Sequence, residues 1–167
     1  MIVVVMGVTA SGKSTVGRRA AARLGWPFYD GDDFHPPENV AKMSRGEPLT
    51  DDDRAPWLDA LHRSMAEHDE DGRSAIYACS ALKERYREVL RGDLASVRFV
   101  YLKGDVETLQ ARLDHRKGHF MPRTMLPSQL AALEEPADAL VLDAALPSRD
   151  LVDRVVDYVN ATSAADA

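Results

Sequence analysis

Cysteine is almost absent: Cys79 is the only one in 167 residues. A single thiol excludes an internal disulfide framework, and without a CxxC pair there is no zinc knuckle or dithiol redox centre. A small buried residue in a strand is the expected role. Basic charge is also short, with 21 Lys and Arg against 27 Asp and Glu, a formal charge of −6. A chain with no basic block lacks the footprint for gripping nucleic acid by its phosphates. No apolar run approaches the roughly 18 residues that cross a bilayer. The opening MIVVVMG is apolar but too short for a signal-peptide core and has no basic leader, so a cytoplasmic protein with no membrane partner is expected. His35, His62, His68, His115 and His119 show no metal-ligand spacing.

What is present is an alternation of strand and helix patterns without linker or repeat. A hydrophobic share of 45% can supply a real core, and the length suits one domain over residues 1–167. The β-branched run 2–6 reads as a strand covered on both faces. A helix over 13–24 follows, with Val16, Ala20 and Leu24 on one stripe and Gly25 as its stop. A short strand at Phe28 and Tyr29 runs into the acidic turn Asp30-Gly31-Asp32-Asp33. After a polar stretch with prolines at 36, 37 and 48, Thr50 and Asp51 to Asp53 cap a helix whose stripe is Trp57, Leu61 and Met65. Further strands are expected at 74–79, 97–102 and 139–142, and helices at 83–91, 106–115 and 149–160, with Asp105 and Ser148 as N-caps of the last two. This order predicts an open α/β sheet with helices on both faces, whose ligands lie beyond the carboxyl ends of the strands.

GVTASGKS, residues 7–14, fits G-x-x-x-x-G-K-[S/T] at every fixed position and lies between the first strand and the first helix. Gly7 and Gly12 permit the tight turn that exposes successive N–H groups to an anion. Lys13 is placed to reach the β- and γ-phosphates, Ser14 to ligate Mg²⁺, and the helix adds its positive end. No G-x-G-x-x-G follows the strand, which excludes a dinucleotide-binding turn.

A phosphoryl transferase also needs an acceptor side. Asp30 and Asp32, at the end of the second strand, are the candidates: one carboxylate to orient the acceptor hydroxyl and take its proton, another to hold Mg²⁺ through water. Asp51, Asp52 and Asp53 read as helix caps. Arg54 beside them is suited to clamp a carboxylate through two hydrogen bonds, or to form a surface ion pair. The segment RLDHRKGHFMPR, residues 112–123, concentrates positive charge in an acidic chain and reads as a mobile lid closing on triphosphate.

Several longer strings resemble one family, the small P-loop gluconokinases, relatives of shikimate kinase and the nucleoside monophosphate kinases. They are YDGDDFHPPENVAKMSRGEPLTDDDRAPWL, CSALKERYREVLR, FVYLKGD and RKGHFMPRTMLPSQLAALEEP, which with the cradle cover most of residues 7–136. The resemblance implies a P-loop NTPase three-layer sandwich with a five-stranded parallel sheet, a substrate-side helical region near 35–70 and a lid near 116–127. It also implies transfer of the ATP γ-phosphoryl group to the 6-hydroxyl of D-gluconate, feeding the pentose phosphate or Entner-Doudoroff route, by an enzyme that is often a homodimer.

Carried over by position, Gly7, Val8, Thr9, Ala10, Ser11, Gly12, Lys13, Ser14 and Thr15 would hold the phosphates and Arg116 would lie against adenine. Asp30 would sit near Mg²⁺ and Asp32 would be the base, with Asp33, a departure from the family pattern, competing for that role. Arg54 would bind the sugar-acid carboxylate, and His35, Ser80, Ala81, Leu82, Lys83 and Arg87 would approach the substrate. Lys117, His119 and Arg123 would belong to the lid, Arg123 acting at transfer. Two other readings stand beside this one: a kinase for another small hydroxy acid such as shikimate, and a nucleotide-binding regulator without catalysis.

Overall fold

Ile2–Met6 forms β1, and all five of its residues are buried. The computed structural model describes residues 1–115 and 125–165. The strands that follow are β2 (Phe28–Asp30), β3 (Ala75–Ala78), β4 (Val97–Lys103) and β5 (Ala139–Asp143). They form one parallel sheet in the order β2-β3-β1-β4-β5, with β1 central between β3 and β4.

The period-2 alternation of β1 divides the core in two. Ile2, Val4 and Met6 face a layer built by α3 (Asp51–Glu70), α4 (Glu84–Arg91), α5 (Val106–His115) and α6 (Met125–Ala132). Val3 and Val5 face α1 (Lys13–Leu24) and α7 (Ser148–Ala165), through Val16, Ala20, Leu151 and Val155 among others. A strand with both faces covered in this way has no solvent side, which is why its sequence does not alternate with polar residues.

The α/β prediction therefore holds, with three differences. A helix α2 (Pro37–Ser44) occupies the stretch read residue by residue as merely polar. Its two prolines fall before and at its first position, where the missing N–H costs no intrahelical bond. The last helix begins at Ser148 and runs to Ala165, five residues beyond the expected end at 160. Ser148 is its first residue rather than the residue before it. Asp105 does cap α5, accepting from the Thr108 backbone N–H at 2.8 Å. Of the expected lid, residues 116–124 lie outside the described residues, and 125–127 belong to α6. None of the described helices is long and apolar enough to cross a membrane.

Candidate active site

The cradle follows directly from β1. Gly7 has φ 147°, and a Cβ there would meet Ser11 Oγ at 2.7 Å and the Leu102 carbonyl at 2.9 Å, so only glycine fits. Ser11 Oγ is buried and has no hydrogen-bond partner among the described residues, an orphan polar atom in a loop built for an anion. Ala10, Gly12, Lys13, Ser14 and Thr15 line a cavity of about 170 Å³ at the N-terminus of α1. Val8 and Thr9 are buried behind it, and Lys13 Nζ donates to the Val8 carbonyl at 3.3 Å. The helix dipole and the exposed N–H groups make this cavity attractive to phosphate.

Arg112 completes the same cavity. Its guanidinium donates to the carbonyls of Ala10 and Ser11 at 3.3 Å each and to that of Ala144. Sequence reasoning placed it only at the start of a basic segment. Its docking on the cradle depends on a contact about a hundred residues away in the chain, which no local pattern reveals.

The acceptor side lies next to it. A narrow cleft of about 30 Å³ is lined by Lys13, Asp32, His35, Arg54, Ser80, Leu82 and Gln129 together with apolar side chains from Met43, Leu49, Trp57 and Met125. Lys13 thus belongs to the walls of both cavities. Asp30 caps the 3-10 turn Gly31–Phe34 by accepting from the Asp32 N–H at 3.1 Å. That turn is pressed against β3 so closely that a Cβ on Gly31 would meet the Ala78 carbonyl at 2.6 Å. The result separates the three aspartates. Asp32 faces the cleft, whereas Asp30 and Asp33 border a different cavity with Arg18, Phe28 and Tyr29.

Trp57, expected only as core, does more than pack. Its Nε1 donates to the Gly31 carbonyl at 2.7 Å, and its ring stacks on His35 with centroids 4.2 Å apart. Burial, helped by the nearby Arg54 charge, pulls the His35 pKa down to about 4. His35 Nδ1 lies 3.3 Å from Asn39 Nδ2, so the neutral ring accepts there and its Nε2 carries the proton.

Arg54 donates to the carbonyls of Leu49 and Thr50 and lies over the Tyr86 ring at 5.4 Å. Among the described residues it has no carboxylate partner. The surface-pair alternative is therefore not what forms. Of the three neighbouring aspartates expected as caps, Asp53 makes the capping bonds and Asp51 turns to α4 instead. Thr50 and Asp53 exchange backbone bonds of 3.2 and 2.8 Å in a capping box, while Asp51 accepts from Arg85 and Tyr86 of α4.

Ser80 to Leu82 form the loop after β3, with Ala81 at φ 45°. Ser80 and Leu82 line the cleft; Ala81 is buried. Lys83 and Arg87 do not line it. Lys83 pairs with Asp51 at 3.6 Å. Arg87, 1% exposed, donates Nη1 to the Ala81 and Leu82 carbonyls at 2.8 and 3.3 Å and Nε to Glu84 at 3.1 Å. Instead of pointing at a substrate, its guanidinium holds the loop from below. Arg116, Lys117, His119 and Arg123 lie outside the described residues. No group of three or more His, Cys, Asp or Glu suited to a metal occurs among the described residues.

The comparisons with known proteins agree with this geometry. The shikimate kinase family model matches residues 9–159. A gluconokinase of Gluconobacter oxydans is 54% identical over 135 residues, spanning 81% of this chain and 76% of that protein. The crystal structure of a sugar kinase from a Janibacter species superposes with a TM-score of 0.90 at 46% identity, covering 95% of this chain and 94% of the other. A gluconokinase from Sinorhizobium meliloti superposes at 0.82 with 41% identity and 96% coverage of both. With a phosphate cradle at the end of β1, an acidic turn at the end of β2 and these relatives, the chain belongs to the gluconokinases, within the shikimate kinase family of P-loop kinases.

Proposed function

We propose that this chain transfers the γ-phosphoryl group of ATP to the 6-hydroxyl of D-gluconate, giving 6-phospho-D-gluconate and ADP. The observation that carries the reading is Lys13, whose side chain lines both the cradle cavity and the acceptor cleft. An ammonium at that junction can follow negative charge as it passes from donor to acceptor. Asp32, in the same cleft, takes the proton of the 6-hydroxyl as that oxygen attacks phosphorus. Arg54, with no carboxylate partner among the described residues, binds the carboxylate at the far end of the substrate. His35 and Ser80 stand between as partners for the intervening hydroxyls, a neutral imidazole being able to donate from Nε2.

Magnesium fits the donor set: Ser14 offers a hydroxyl at the cradle, and a hard cation that keeps several waters needs few protein ligands besides substrate phosphates. Ser14 would hold it, and bound there it would neutralise charge on the phosphates; Asp30, expected to reach it through water, lines the neighbouring cavity with Arg18 and not the cradle. The basic residues 116–123, with Arg123 among them, are assigned to the lid by resemblance and charge. The reading also includes one kinase domain and a cytoplasmic homodimer. The acidic surface, at −6, is consistent with a small-molecule acceptor and no nucleic-acid partner.

A coupled ADP-release assay over a panel of acceptors tests the assignment. Gluconate turnover well above that with shikimate is expected. Turnover with shikimate and none with gluconate would overturn it.

A further inference from the structure

Gln129 sits on α6, 120 residues from the cradle in sequence, yet its Oε1 accepts the Thr9 backbone N–H at 2.7 Å in a buried bond. Across the same peptide unit, the Val8 carbonyl accepts from Lys13 Nζ at 3.3 Å. The Val8–Thr9 peptide is therefore held at both edges, its N–H by the carboxamide and its C=O by the Lys13 ammonium and, at 3.3 Å, by the Ser11 backbone N–H. Planarity of that peptide couples the two bonds, because rotating one edge rotates the other. We infer that Gln129 is a positioning residue for phosphoryl transfer: it fixes the plane of the Val8–Thr9 peptide and through it the place of the Lys13 ammonium.

Three further observations support the inference. Thr9 is 3% exposed, so without the Gln129 oxygen its N–H would have no water to turn to. The peptide would then be held on its carbonyl edge alone, by Ser11 and Lys13, and its plane could tilt and shift the Val8 carbonyl against Lys13. Gln129 itself lines the acceptor cleft, so the group that sets Lys13 also meets whatever enters there. Finally, α6 is tied to the acceptor walls, with Met125 packed against Met43 and Leu49 and, just beyond the helix, the Glu134 N–H donating to the Leu82 carbonyl at 2.8 Å. A shift of those walls reaches the Lys13 ammonium through one side chain.

The inference rests on the kinase reading above, and a double-mutant cycle on the full chain tests it separately. Gln129→Leu removes the acceptor with little change in volume. Its expected effects are a fall in kcat of at least about tenfold, ATP affinity changed less than that, and an upfield move of the Thr9 amide proton in the ¹H–¹⁵N spectrum. In a Lys13→Ala background the same substitution should cost little more, since both act through one group. Leu130→Ala, which loosens α6 without touching the bond, should keep the Thr9 resonance and lose far less kcat for its drop in Tm. Multiplicative losses in the cycle would overturn the inference, as would an unmoved Thr9 amide or equal kcat losses in Gln129→Leu and Leu130→Ala. If the parent protein fails to phosphorylate gluconate, the substrate assignment falls, while the Thr9 resonance still reports on the peptide contact.

Discussion

Asp32 and Asp33 are adjacent in sequence and equivalent by composition, yet the 3-10 turn sends them into different cavities. Only Asp32 shares walls with Lys13 and Arg54. Asp32→Asn should therefore lower kcat by about a hundredfold or more, the usual range for a lost general base, with ATP binding retained. Asp33→Asn should leave kcat within a few-fold of the parent. Steady-state kinetics on both variants checks this, and a larger loss at Asp33 would reverse the assignment. His35 gives a second prediction at this scale. Its folded pKa of about 4 lies below the free value of 6.5, so between those pH values the unfolded chain binds more protons. Stability contributed by the neutral ring is complete above about pH 6.5 and is lost as pH falls toward 4. Urea unfolding should show the parent losing on the order of 1–2 kcal/mol more than His35→Gln between pH 7 and pH 4.5. Parallel losses would mean that the ring titrates alike in both states. Lys13, Ser14 and Asp32 were legible beforehand because motif and strand-end placement mark them, and Arg54 through its guanidinium and the family resemblance. Gln129, Trp57 and Arg112 were not, because their polar contacts to the site run from side chain to backbone across 26 to about 120 residues.

At the scale of elements, the strands and most helices follow from hydrophobic period and caps, and the sequence reading placed them within a few residues. The α2 helix escaped because its prolines read as breakers until their position before and at its first turn is known. Arg87 shows the other limit. The family resemblance offered it as a substrate ligand, whereas burial at 1% and bonds to Ala81 and Leu82 make it a brace under the acceptor loop. Ala81 holds φ 45°, a conformation that costs a non-glycine residue energy and persists because its surroundings enforce it. Arg87→Met should therefore destabilise the fold by about 2–3 kcal/mol by orphaning buried carbonyls. It should also raise KM for gluconate more than KM for ATP, since the cradle is held by other contacts. Unchanged urea stability together with an unchanged gluconate KM would show that the loop stands without its brace.

For the molecule as a whole, the two cavities differ in a way that constrains how it works. The cradle cavity, at about 170 Å³, has room for phosphates, while the acceptor cleft, at about 30 Å³, has room for little more than one water. A six-carbon acid needs several times that volume, so its walls must part. The contacts available to yield are apolar ones, where Met125 of α6 meets Met43 of α2 and Leu49, because dispersion contacts between methionines re-form at small cost. The central strands β1 and β3 are fully buried and will not deform, so the movement belongs to α2, α6 and the segment between Leu49 and α3. Trp57 stands at the edge of this movement, stacked on His35 and bonded to Gly31. The chain has two tryptophans, so Trp26→Phe leaves Trp57 as the sole indole reporter. Gluconate added to that variant in the presence of a non-hydrolysable ATP analogue should change Trp57 emission in a saturable way, and shikimate should not at the same concentration. Replacing Met125 by Ala should weaken the apolar closure, leaving the signal of the free enzyme closer to that of the gluconate-bound state. Unchanged Trp57 emission on gluconate addition, alongside normal turnover, would mean that the acid enters without parting these walls.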